Sequence, residues 1–144
     1  MPTGRACGHI GTSAVRAVQL APDMNLAGII ELDCRLTDIH QRFPEVPFYS
    51  DFHQLPEKPD VIITCVPTRG VEASAADILS AGISTVDCFD MHGDAFVHLK
   101  ETLEPLAKNA GSKAVMGAGL CMVVSRTSCH SFWPCMESRP TSSM

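Results

Sequence analysis

The chain has 144 residues, 45% of them hydrophobic and 19% charged, and a net charge of −5, which describes one ordinary globular domain able to bury a core without disulfide staples. The acidic balance, with no cluster of Lys and Arg, excludes nucleic acid and anionic membrane as partners and leaves small molecules as the expected ligands. No window approaches the ~18 consecutive apolar residues of a membrane span, residues 1–11 lack the apolar segment of a secretory signal, and the expected location is the cytoplasm.

In chain order, helical spacing of Ile10, Ala14, Ala17 and Val18 predicts a helix from His9 to Leu20, closed at Ala21-Pro22-Asp23 because proline forbids continuation. Leu26 to Glu31 reads as a buried strand, Arg35 to Arg42 as a loose helical segment, and Val46-Pro47-Phe48-Tyr49 as a short extended piece that its proline confines to an edge. Asp60 to Val66 is β-branched and apolar on both faces, as a parallel strand covered by helices requires, and is the clearest strand.

After the turn Pro67-Thr68-Arg69-Gly70, Val71, Ala75, Ile78 and Leu79 predict a helix over 71–81 with Gly82 as its stop. A strand Ile83 to Val86 leads into Asp87-Cys88-Phe89-Asp90-Met91-His92-Gly93-Asp94. A helix over 95–110 follows from Phe96, Leu99, Leu103 and Leu106, with a kink expected at Pro105, and Ala114 to Gly117 makes the next strand. Strands and helices alternating at this pitch predict an α/β fold, a doubly wound parallel sheet with helices on both faces. The first strand is poorly supported, because residues 1–6 do not build an apolar strand, and residues 120–144 read as an irregular tail.

Three acids and an imidazole so near a strand's carboxyl end are badly placed for a core, but that edge is where ligands bind in an open α/β sheet. The segment 85–94 is therefore expected to form one wall of a site. Gly8-His9-Ile10-Gly11 opens the first helix, and Glu31 ends the next strand twenty residues after Gly11. That is the layout of a dinucleotide site, with the pyrophosphate on a helix N-terminus and a strand-end acid on the ribose hydroxyls. Ala6, Gly8 and Gly11 have the G-x-G-x-x-G spacing with alanine in the first place, so a plain helix-start turn remains the alternative.

Other features have plainer readings too. Asp87 and Asp90 also fit surface acids in a βα loop, and Asp94 a helix cap. His92 and His98 fit solvated or locally bonded side chains. Lys100, Glu101 and Glu104 fit an exposed helix face. Seven cysteines include no C-x-x-C pair. Cys34, Cys65 and Cys88 read as small hydrophobes, and Cys121, Cys129, His130 and Cys135 match no zinc spacing, so no metal is expected.

Residues 21–29, 60–65, 84–94 and 107–119 together resemble the nucleotide-binding domain of the meso-diaminopimelate D-dehydrogenase family, most specifically Thr85-Val86-Asp87-Cys88-Phe89-Asp90-Met91-His92. The resemblance covers residues 7–119 and implies a Rossmann-like fold, a nicotinamide dinucleotide (NADP in the family), and oxidative deamination at the D-centre of meso-diaminopimelate in lysine and cell-wall metabolism. It implies Cys7, Gly8, His9 and Ile10, with Gly11, at the pyrophosphate, and Glu31, Leu32 and Asp33 around the adenosine ribose. Cys65, Val66, Pro67 and Thr68 would line the turn after the fourth strand. Phe89, Asp90 and Met91 would flank the nicotinamide, with Asp90 and Asp94 toward the substrate.

Two departures stand out. Glu31-Leu32-Asp33 replaces the family's Ser-Arg-Arg, and two carboxylates repel a 2′-phosphate, which favours NAD over NADP although Arg35 is nearby. Gly119-Leu120-Cys121-Met122-Val123 replaces Gly-Trp-Asp-Pro-Gly, so the Trp and Asp of the substrate pocket are missing. Residues 1–119 thus read as the dinucleotide-binding domain, with the substrate and dimerisation domain absent, dimerisation doubtful and the chain inactive alone. The alternatives are a non-catalytic or disrupted-gene fragment that binds dinucleotide weakly or not at all, and a sugar- or aspartate-type oxidoreductase domain.

Overall fold

The computed structural model describes residues 8–31, 40–88, 90 and 92–118. Expectations for residues 1–7, 32–39, 89, 91 and 119–144 lie outside that set; they include the poorly supported first strand, most of the 35–42 helix, the altered turn from Gly119 and the 120–144 tail.

Helix α1 spans His9–Leu20 and ends where the Ala21 N–H reaches the Ala17 and Val18 carbonyls, just ahead of Pro22. Its inward face is shifted from the expected one. Gly11 and Val15 are buried, whereas Ile10 is 59% exposed and Ala17 is exposed. The reason is the small core that α1 meets, in which Val15 packs with Ile29, Phe43 and Val46.

Strand β1 (Ile29–Ile30) pairs in parallel with β2 (Phe48–Tyr49), Ile29 opposite Phe48 and Ile30 opposite Tyr49. The expected strand 26–31 is thus shortened to two residues, and the Pro47 piece lies at an edge as expected. A Cβ on Gly28 would stand 2.8 Å from Tyr49 Cε2 and 3.1 Å from the Pro47 carbonyl oxygen, so the close approach of the two strands requires glycine. A 3-10 turn, Phe52–Gln54, follows β2.

The remaining elements are β3 (Val61–Thr64), α2 (Thr68–Ser80), β4 (Ser84–Asp87), α3 (Asp94–Ala110) and β5 (Ala114–Val115). The three strands are parallel in the order β3-β4-β5, with Thr64 opposite Asp87 and Thr85 opposite Ala114. Val71, Ala75 and Leu79 of α2 and Leu99, Leu103 and Ala107 of α3 form one core, with Ala114 and Met116 packed against it. The residues expected to face inward on these helices do so. Gly82 (φ +73°) and Gly111 (φ +69°) end α2 and α3 in the left-handed region that side chains disfavour. Helix α3 runs unbroken through Pro105.

Strand β3 differs from the expectation of cover on both faces. Side chains alternate along a strand, so Val61, Ile63, Val86 and Val115 share the face opposite the α2–α3 core. Val61 and Ile63 are 45% and 39% exposed and Val115 is 53% exposed. Among the described residues no ladder joins β1 to β3. In the doubly wound order 3-2-1-4-5-6 the strand preceding the first helix lies between those two.

Candidate functional site

Parallel strands all present their carboxyl ends at one edge, and the turns leaving them carry most of the candidate residues. Glycine at position 8 gives α1 a cap without a side chain. Among the described residues no side-chain cap bond is made there and the first turn holds no acid, so the first-turn N–H groups can serve an anion and the helix dipole favours one. Gly8 is half-buried, His9 and Ile10 are exposed and Gly11 is buried against the domain. Cys7 lies outside the described residues. The arrangement fits a pyrophosphate.

Glu31 follows β1, its N–H donating to the Tyr49 carbonyl at 3.0 Å. It is 4% exposed, a depth that distinguishes it from a solvated surface acid. Leu32 and Asp33 lie outside the described residues. Beside it, after β2, Asp51 accepts the His53 backbone N–H at 2.8 Å and pairs with His53 Nδ1 at 2.7 Å. Those bonds, the backbone one first, hold the Asp51 carboxyl below its ordinary value of 3.8.

At the end of β3, Cys65 and Val66 are half-buried and Pro67 is exposed. Thr68 opens α2 rather than forming a separate turn ahead of it. Its hydroxyl donates to the Asp90 carboxylate across 22 residues. Two site residues predicted from separate stretches are thereby brought together, and the Asp90 carboxylate is tied to the start of α2. Phe89 and Met91 lie outside the described residues.

Asp94 is exposed in the first turn of α3, where a carboxylate suits the dipole, but Gly93 rather than Asp94 is the cap residue. His98 Nε2 lies 3.8 Å from Glu72 Oε2, which links α3 to α2. Glu104 pairs with Lys108 at 2.6 Å on the exposed helix face. Among the described residues no group of three potential ligands could hold a metal ion.

Asp87 is the residue that sequence reasoning placed wrongly. It ends β4 with 0% exposure, and its Oδ1 accepts the Gly117 N–H at 2.9 Å while its carbonyl accepts the Ala118 N–H at 2.8 Å. It is an internal brace between the end of β4 and the segment leaving β5, not a surface acid. The signal was its period-two phase with buried Thr85, which puts both on the helix-covered face. Cys88, one residue on, is half-buried, and burial, followed by the Asp87 charge, raises its thiol pKa.

A family model described as the homoserine dehydrogenase NAD-binding domain matches residues 6–116. The chain belongs to that family. It is also 37% identical over 114 residues to meso-diaminopimelate D-dehydrogenase of Bacteroides fragilis, an alignment covering 78% of this chain and 36% of that protein. The chain thus spans about a third of the length of the relative it matches. Parallel strands, a glycine-capped first helix and the family match together identify a Rossmann-like, nicotinamide-dinucleotide-binding oxidoreductase domain. No helix among the described residues is long and apolar enough to cross a membrane.

Proposed function

We propose that this chain is the nucleotide-binding part of an NAD(P)-dependent amino-acid dehydrogenase acting on meso-diaminopimelate or a close analogue at its D-centre. The observation that carries the reading is the open N-terminus of α1, whose glycine cap and acid-free first turn leave backbone donors for a pyrophosphate. Similarity to the Bacteroides fragilis protein supports the substrate class. When bound, the nicotinamide would accept a hydride from the substrate's α-carbon.

The chain's own groups bind and orient. Gly8, His9, Ile10 and Gly11 would hold the pyrophosphate, Glu31 with Leu32 and Asp33 the adenosine ribose, and Cys65 to Thr68 the segment toward the nicotinamide, flanked by Phe89 and Met91. Asp90, its carboxylate held by Thr68, and exposed Asp94 offer negative charge to an ammonium-bearing substrate. Glu31, which is buried, would with Asp33 at the ribose favour the hydroxyls of NAD over the phosphate of NADP. We assign residues 1–119 to this domain, 120–144 to a segment outside it, and the protein to the cytoplasm.

Calorimetric titration tests the reading. NADH is expected to bind saturably and more tightly than NADPH, and meso-diaminopimelate is not turned over by this polypeptide alone, since positioning the substrate's α-carbon requires a facing wall. No saturation by either cofactor at millimolar concentration would remove the dinucleotide site. Preference for NADPH would overturn the role given to Glu31 and Asp33, and turnover would overturn the division of labour.

A further inference from the structure

Turns leave the carboxyl ends of β3, β4 and β5 at one edge of the sheet, and one buried residue stands where two of them meet. Asp87 ends β4 with 0% exposure. Its Oδ1 accepts the Gly117 N–H at 2.9 Å and its carbonyl oxygen accepts the Ala118 N–H at 2.8 Å, so side chain and main chain together hold the segment leaving β5. The end of β4 is also tied to β3. Thr64 lies opposite Asp87, and the Thr64 hydroxyl donates to the Val86 carbonyl at 3.3 Å.

Asp90 comes three residues after Asp87, and its carboxylate accepts the Thr68 hydroxyl at the start of α2. The turn leaving β4 is thus fixed at both ends, at Asp87 toward β5 and at Asp90 toward α2. A segment this short between two fixed points has few conformations open to it, so the entropy of ordering it is lost on folding rather than on binding. Bonds therefore link the start of α2, through Asp90 and Asp87, to Gly117 and Ala118. A side chain with no exposed surface does not itself reach a ligand in the crevice; Asp87 acts through what it holds.

We propose that Asp87 is a positioning residue for the nicotinamide end of the site, fixing the turn that carries Asp90 and the segment that leaves β5 as one pre-formed wall. The proposal rests on the dinucleotide reading above. In that reading the pyrophosphate and adenosine lie at α1 and β1, whereas the segments that Asp87 holds belong to the ends of β4 and β5. Loss of Asp87 should therefore weaken the hold on the nicotinamide and spare the adenosine diphosphate half.

The test compares NADH with ADP-ribose, which lacks the nicotinamide, by calorimetric titration well below the melting transition of each protein. The parent should bind NADH the more tightly. Asp87→Ala removes the acceptor of the part-buried Gly117 N–H and should lower NADH affinity roughly fivefold or more, but ADP-ribose affinity less than about twofold. Asp87→Asn keeps an oxygen for that bond and should restore most of the difference. A role confined to stability would lower the melting temperature without moving the ratio of the two affinities. Equal parent affinities, or a ratio unchanged in Asp87→Ala, would overturn the positioning role while the dinucleotide reading stands; a parent that binds neither ligand would remove both.

If Asp87→Ala does not fold, amide hydrogen exchange in the unaltered protein decides. Saturation with NADH should slow exchange at Gly117 and Ala118 beyond the slowing that ADP-ribose gives, because contact at the Asp90 turn stabilises the whole linked unit. Equal exchange in the two complexes would overturn the proposal.

Discussion

The half formed by β3, α2, β4, α3 and β5 buries six residues in one core, Val71, Ala75, Leu79, Leu99, Leu103 and Ala107, most of them at 0–1% exposure. Among the described residues, the part of the chain around α1, β1 and β2 buries Val15, Ile29, Phe43 and Val46, at 6–9%. Burial of apolar area is the main source of folding free energy, and among the described residues the larger share of it lies in the first half. The open helix terminus that suits an anion belongs to the second. The proposed binding of a pyrophosphate there would use backbone groups at the end of α1.

Paired substitutions break or sharpen this contrast. Leu99→Ala should have the largest effect, a loss of ~2–5 kcal/mol in urea unfolding. Val71→Ala and Val15→Ala remove the same atoms from the two halves, and Val71→Ala should cost clearly more; equal losses would abolish the contrast. Asp87→Ala leaves the part-buried Gly117 N–H without its acceptor and should cost ~1–3 kcal/mol. Asp87→Asn retains an oxygen for that bond and should cost less.

Thr68→Val removes the bond to Asp90 and should cost ~0.5–1.5 kcal/mol, with weaker NADH binding as the more sensitive readout. The smallest effect belongs to Asp51, a largely solvated carboxyl lowered first by the His53 backbone N–H. A lowered carboxyl stabilises the fold above its unfolded-state value and ceases to as pH falls through the folded value. Asp51→Ala should therefore cost under ~1 kcal/mol near neutrality, and the difference from the parent should vanish as pH falls below about 3.8.

Helices α2 and α3 were legible because Leu, Val and Ala recur at three and four residues and because Gly82 and Gly111 must stop them. The α1 limits were legible too, but not its inward face, which depends on tertiary partners, Phe43 and Val46, that no local period reveals. Strand β1 is shorter than its apolar run because its backbone pairing extends only as far as its partner β2. Among site residues, the Thr68–Asp90 bond joins stretches that sequence reading had placed at the same end without joining them. Asp87 was misjudged because a carboxylate so near a strand end reads as exposed until its backbone acceptor role is seen.

The most direct measurement concerns Gly8. Its backbone, φ −67° and ψ −166°, accepts any residue, and aspartate is a favoured helix cap, so Gly8→Asp should fold at least as well as the parent while filling the anion position with a carboxylate. Titration with NADH should then show affinity reduced at least tenfold with an unchanged or higher melting temperature. NADH binding as tight as the parent's would contradict the placement of the pyrophosphate at α1.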